Sequence, residues 1–127
     1  MKAPCQAVVW YLLPSIGAEL ARELAKRGMP QKEIAMKLGI TPAAVSQYIK
    51  GVRGAEVKLG GDSLKEIHKL ADKLENGRAD EAMVILSVCD ICRIAWRERV
   101  LCEHQKMIGK GSPACARCSD GKARCRQ

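Results

Sequence analysis

Gln31-Lys-Glu-Ile-Ala-Met-Lys-Leu-Gly-Ile-Thr-Pro-Ala-Ala-Val-Ser-Gln-Tyr-Ile-Lys50 is the stretch that decides the fold of this chain. Ala35 is a small residue where two helices can touch, Gly39 sits at a sharp turn, and Val45 is a β-branched anchor. Thr41-Pro42 is a helix N-cap followed by proline at the first helical position, where a missing N–H costs nothing. This is the layout of a helix-turn-helix, a unit that presents the exposed face of its second helix to a DNA major groove. The spacing predicts helices over residues 31–38 and 42–50. Ile34, Ala35, Leu38, Val45, Tyr48 and Ile49 are expected to point inward, and Ala43, Ser46, Gln47 and Lys50 outward.

Upstream, Pro14-Ser15 opens a helix in which Ile16, Leu20 and Leu24 recur every fourth residue, and Gly28 stops it. Downstream, residues 52–61 are glycine-rich and read as a flexible joint that could carry a phosphate-contacting Arg53 or Lys58. Ser63-Leu-Lys-Glu66 reads as a capping box opening a fourth helix, with Ile67, Leu70, Ala71 and Leu74 as its stripe and Asn76-Gly77 as its end. A fifth helix is predicted from Asp80 towards Cys89. Its run of Met83, Val84, Ile85, Leu86 and Val88 is apolar nearly all round, as suits a central core helix or half of a dimer seam. From Gly109 onward the chain is basic and poor in large apolar residues, so a hydrophobic core cannot organise it. The expected fold is all-α: a helix-turn-helix bundle of about five helices, plus a small cysteine-rich C-terminal segment. Residues 1–60 form the DNA-binding domain, and residues 61–127 a helical, cysteine-rich, dimerising region.

Composition agrees. Hydrophobic residues make up 47% of the chain while aromatics are 3%, so the core must be built from Leu, Ile, Val, Ala and Met. No window approaches the about 20 apolar residues of a membrane span. The apolar run at residues 7–13 is too short, is ended by Pro14 and lacks a signal-peptide cleavage pattern. It is expected to pack on the core or on a partner, in a reducing cytoplasm. Of the net charge of +8, residues 26–58 supply +5, from seven basic residues against Glu33 and Glu56. Residues 103–127 supply +4, from six basic residues against Glu103 and Asp120. Positive charge therefore gathers on the helix-turn-helix and the tail, where a polyphosphate would be met.

Seven cysteines stand at 5, 89, 92, 102, 115, 118 and 125. Structural disulfides are disfavoured in a reducing compartment, so clustered thiols point to metal. Cys89-Asp-Ile-Cys92 and Cys115-Ala-Arg-Cys118 are two C-x-x-C hooks, each able to bring two sulfurs to one ion or cluster edge. Cys102 lies between them and Cys125 after, making Cys89, Cys92, Cys102, Cys115, Cys118 and Cys125 the candidate ligands. Zinc would take four of them as a structural clip. An iron–sulfur cluster also takes four thiolates, and a four-iron cluster is favoured on two grounds. Arg93 and Ser119 follow the hooks where zinc knuckles commonly have glycine, and Arg93, Arg97, Arg99, Arg117, Lys122 and Arg124 surround them. Cys5 could be a ligand, a core residue or an interface thiol, with the core favoured; His104 reads as a surface group near the thiols, and His68 as structural. Cys115/Cys118 has no βαβ context, and there is no nucleotide loop, Ser/His/Asp set or paired-carboxylate site, so the chain does not read as an enzyme.

Pro4-Cys5, Leu13-Pro14-Ser15-Ile16, Gln31-Lys-Glu-Ile-Ala, Leu38-Gly-Ile-Thr and Ala44-Val-Ser-Gln-Tyr, ending at Gly54, resemble an archaeal group of predicted transcriptional regulators. These carry a helix-turn-helix of the phage-repressor (xenobiotic-response-element) type, and similar domains head the archaeal thiamine regulators. Shorter members of the group continue with a run like Cys89-x-x-Cys92, Leu101-Cys102 and a final C-x-x-C. The resemblance implies a cytoplasmic, dimeric DNA-binding regulator whose cysteines hold an iron–sulfur cluster. No thiamine-type domain is present here, which argues against a thiamine-phosphate effector. On this reading Ser46 and Gln47, helped by Thr41 and Ala43, meet base edges, while Gln31, Lys32, Lys50 and Arg53 contact phosphates of double-stranded DNA. The alternative is a DNA-binding or interaction module with a purely structural zinc. No small-molecule substrate is evident.

Overall fold

Hydrophobic stripes at helical spacing, punctuated by glycine and proline, fold the described residues into helices. The computed structural model describes Gln6 and residues 8–101, and among these residues there are five α-helices and no strand. They are α1 (Leu13–Lys26), α2 (Gln31–Leu38), α3 (Pro42–Ile49), α4 (Gly61–Glu75) and α5 (Glu81–Arg97). No helix among the described residues is long and apolar enough to cross a membrane.

The apolar N-terminal run does not stop at Pro14. A π-helical turn, Val8–Leu12, leads directly into α1, and Pro14 falls in the first turn of that helix, where no intrahelical N–H partner is needed. Leu12 is buried, whereas Val9 and Trp10 are 59% and 62% exposed, so the run divides between core and surface. α1 then buries Ile16, Leu20 and Leu24, as its fourfold spacing predicts, together with Ser15, Ala18 and Ala21. It is the central helix, against which α3 and α4 pack most extensively.

The glycine-rich segment after α3 is not a free joint. Val57 and Leu59 are buried, and the Val57 N–H donates to the buried Ser15 Oγ at 3.3 Å. Gly54 adopts a φ of +75° and lies so close to α1 that a Cβ there would stand 2.6 Å from the Pro14 carbonyl oxygen. The segment is thus bonded to the central helix, and one core cluster runs from Leu12 through Val57 and Leu59 to Leu101.

Ser63 also plays a different part from the one its local pattern predicts. α4 starts two residues earlier, at Gly61, with Gly60 as its N-cap. Ser63 is fully buried, and its N–H and hydroxyl both donate to Glu98, not to the nearby Glu66, which pairs with Lys69 instead. α5 likewise runs on to Arg97, beyond the predicted end near Cys89. Its start matches expectation: the Asp80 carboxylate accepts the Met83 N–H at 2.8 Å. Val84, Ile91 and Ala95 are buried, while Met83, Ile85 and Leu86 face outward.

Candidate nucleic-acid interface

The turn between α2 and α3 is built as its residues require. Gly39 takes the left-handed conformation, with φ +66°, and the Ile40 N–H reaches back to the Ala35 carbonyl at 3.0 Å, closing the end of α2. Thr41 then caps α3, its Oγ1 accepting the Ala44 N–H at 3.1 Å, and Pro42 follows in the first turn. Ile34, Ala35, Val45 and Tyr48 are buried, with Leu38 and Ile49 packed at the edge of the core. These contacts lock α3 at a fixed angle on α1 and α2.

The opposite side of α3 is open. Thr41, Ala43, Gln47 and Lys50 are exposed and Ser46 is half-buried, while Gln31 and Lys32 stand exposed at the start of α2. Arg53, also exposed, lies beyond α3 with its guanidinium 5.8 Å from the centre of the Tyr48 ring. That cation–π contact holds a long side chain beside the helix and leaves its N–H groups free to donate. Chemically, the surface offers the paired donor and acceptor of the Gln47 amide, the Ala43 methyl and the Ser46 hydroxyl. The basic side chains of Lys32, Lys50 and Arg53 are exposed in the same region of the chain.

Not every basic residue of this region is free in this way. Arg27, at the end of α1, donates to Asp72, to Glu75 at 3.1 Å and to Glu23 at 3.2 Å, and this acidic company strengthens its hold on its proton. Lys37 donates to the Leu74 carbonyl at 3.0 Å and lies 3.9 Å from Glu33. Both side chains tie the helix-turn-helix to α4. Lys32 and Lys50 make no ion pair among the described residues. His68 is exposed, with Nε2 3.5 Å from Glu23.

Of the candidate thiols, Cys89 and Cys92 are described. They lie in the interior of α5, one turn apart, where residues three apart share a helix side. Cys89 is exposed; Cys92 is half-buried against the core. Burial, aided by the neighbouring Cys89 thiol, pushes the Cys92 thiol up from its ordinary range, and Arg93 draws it partly back. Cys5, Cys102, His104, Cys115, Cys118 and Cys125 lie outside the described residues.

Two features here have no short-range sequence signal: the Arg53–Tyr48 contact, whose partners are five residues apart across the end of α3, and the diversion of Arg27 and Lys37 into α4. With this geometry described, comparison with known proteins agrees in one respect. Residues 19–59 match the family model described as helix-turn-helix, which spans the second half of α1, all of α2 and α3, and the packed segment after them. Neither a curated protein nor a solved structure matches the chain.

Proposed function

We propose that this protein is a sequence-specific, non-enzymatic transcriptional regulator that binds double-stranded DNA as a homodimer and carries an iron–sulfur cluster on its cysteine-rich region. The helix-turn-helix domain at residues 19–59 is the foundation for DNA binding. The single observation that carries the finer reading is the outward side of α3. It presents exposed Gln47 and Ala43 together with exposed Lys50, with Lys32 and Arg53 exposed on the flanking segments, while Arg27 and Lys37 are engaged elsewhere. Gln47 pairs with an adenine edge through both ends of its amide, Ala43 meets a thymine methyl, and Ser46 and Thr41 add adaptable contacts. Gln31, Lys32, Lys50 and Arg53 hold the phosphates and fix orientation.

Cys89 and Cys92 fit a metal group in number and placement: one pair of thiols on one side of a formed helix, reachable from solvent, beside Arg93. They would supply two of the four ligands, and the other two would come from among Cys102, Cys115, Cys118 and Cys125. A four-iron cluster held there supplies one-electron redox chemistry, and α5 and the cation Arg93 are this chain's own means of feeling its charge.

The test has two arms. Binding is measured over a panel of operator variants with the wild type and Gln47→Ala. The variant should lose discrimination of about 1–3 kcal/mol at one base pair, and an unaltered preference would refute the assignment. Protein purified without oxygen should be coloured and contain iron and acid-labile sulfide; colourless protein containing zinc would replace the cluster by a structural ion.

A further inference from the structure

The outer face of α5 carries exposed apolar residues between Glu81 at its start and Arg93 towards its end, and nothing among the described residues covers it. Ala82, Ile85, Leu86, Cys89 and Arg93 follow the spacing that places side chains on one helix face, and all are exposed. Ile85 and Leu86 are 57% and 65% exposed, unusual for two adjacent large aliphatic residues in the middle of a helix. The patch continues onto the helix-turn-helix. Ile85 and the 78% exposed Met36 line one hollow of about 300 Å³, whose other walls include Leu38 and Val84 and the charged Lys37 and Glu81. Apolar surface that reaches across two elements marks a contact site.

We infer that this face is the dimer seam, and that it takes the α5 of a second copy in antiparallel orientation. This deepens the homodimer reading above and rests on it. The charges select both the occupant and its direction. The acidic end of α5 carries Glu81, exposed and without an ion pair among the described residues; the other end carries Arg93 and Arg97, both exposed. Among the described residues Arg93 is held only by an exposed contact to Asp90 at 3.3 Å, a pair of little energetic weight. Antiparallel packing sets the Glu81 end of each copy beside the Arg93 end of the other, with Ile85 and Leu86 between. Parallel packing would align like charges. A two-fold axis makes the same patch serve both subunits, and the hollow beside Ile85 leaves room for an incoming aliphatic side chain. The same axis gives two recognition helices the symmetry that a palindromic operator demands. Cys89 shares this face, so a group bound to it stands within the seam and alters dimer affinity.

Sedimentation equilibrium on the full chain tests this. The wild type should be a dimer at micromolar concentration, and Leu86→Asp and Ile85→Glu should each be monomers that keep the helical circular dichroism and a cooperative melt, with a melting temperature that, unlike the wild type's, does not depend on protein concentration. Glu81→Arg and Arg93→Glu should each weaken dimerisation about tenfold, and the double reversal should recover most of that loss. A monomeric wild type, or a Leu86→Asp variant that stays dimeric, overturns the seam; absence of recovery in the double reversal overturns the antiparallel arrangement. The monomeric variant should keep its sequence preference on a duplex carrying a single half-site. Loss of preference by wild type and variant alike would instead overturn the DNA-reading assignment.

Discussion

Glu98, just beyond the end of α5, caps a different helix: its Oε1 accepts the Ser63 backbone N–H at 3.1 Å and the Ser63 hydroxyl in the first turn of α4. Gly60 makes room for this, because a Cβ there would overlap the Glu98 carboxylate. The backbone at Gly60 is extended, with φ −80°, so alanine is excluded only by the carboxylate. Glu98→Ala should therefore cost about 1–2 kcal/mol, the loss of a charged cap. Gly60→Ala should cost a similar amount in the wild type and almost nothing once Glu98 is alanine. Urea denaturation of the four proteins in this cycle measures the coupling. Additive effects would mean that the two residues do not share a contact.

Gly54 and Gly39 both have positive φ, +75° and +66°, yet they should respond differently to alanine. At Gly39 nothing stands within 4 Å of the added Cβ, so only the left-handed backbone is strained, at about 1–2 kcal/mol. At Gly54 the same strain is joined by the Pro14 carbonyl oxygen at 2.6 Å and the Ala18 Cβ at 2.7 Å, both on the central helix. Overpacking of that kind adds about 1–3 kcal/mol, so Gly54→Ala should be the more destabilising in thermal or urea melts.

The division of basic residues predicts which ones the salt dependence of DNA binding will reveal. Lys50→Ala and Arg53→Ala should each reduce the slope of log K against log salt by about 1, the signature of one lost phosphate contact. Arg27→Ala should leave that slope unchanged, because its guanidinium is engaged with Asp72, Glu75 and Glu23. Its effect should fall on stability instead. The carboxylate partners on α4 are 61% and 46% exposed, so the loss should be small, about 0.5–1 kcal/mol, and should shrink as salt is added.

What could be read from the chain beforehand followed the range of the interactions involved. The helix-turn-helix was legible in detail because its determinants are local: Thr41 caps Ala44, Gly39 turns the chain between adjacent helices, and Ile34 and Val45 sit at helical spacing. Ser63 misled because Ser-x-x-Glu looks self-sufficient, while its actual partner lies 35 residues away. Residues 52–61 looked like a joint because Val57 and Leu59 are isolated among glycines, with no periodic neighbours to announce their burial against α1. The end of α5 was placed too early because Asp90, Arg93 and Arg97 interrupt the apolar run. Those residues occupy the outer side, and Ile91 and Ala95 carry the inner side on. On the site itself, exposure of Gln47 and Lys50 followed from helix phase, but the ties of Arg27 and Lys37 depended on α4 arriving beside them.

The placement of Cys89 and Cys92 predicts how the protein should behave without its proposed metal group. Small metal domains unfold when stripped, because their ligands are brought together only by the ion. Here the two thiols belong to a helix whose own inner face, through Val84, Ile91 and Ala95, is already buried in the core. Cys89 contributes nothing to that core and Cys92 only its edge. Treatment of the full chain with a chelator and reductant should therefore leave the helical circular dichroism and the cooperative melt of the bundle in place. Cys89→Ser should be nearly neutral for stability, within about 0.5 kcal/mol, as expected of an exposed position. Collapse of the helical signal on metal removal would show that the group is a structural support of the bundle, and a regulatory role for it would have to be abandoned.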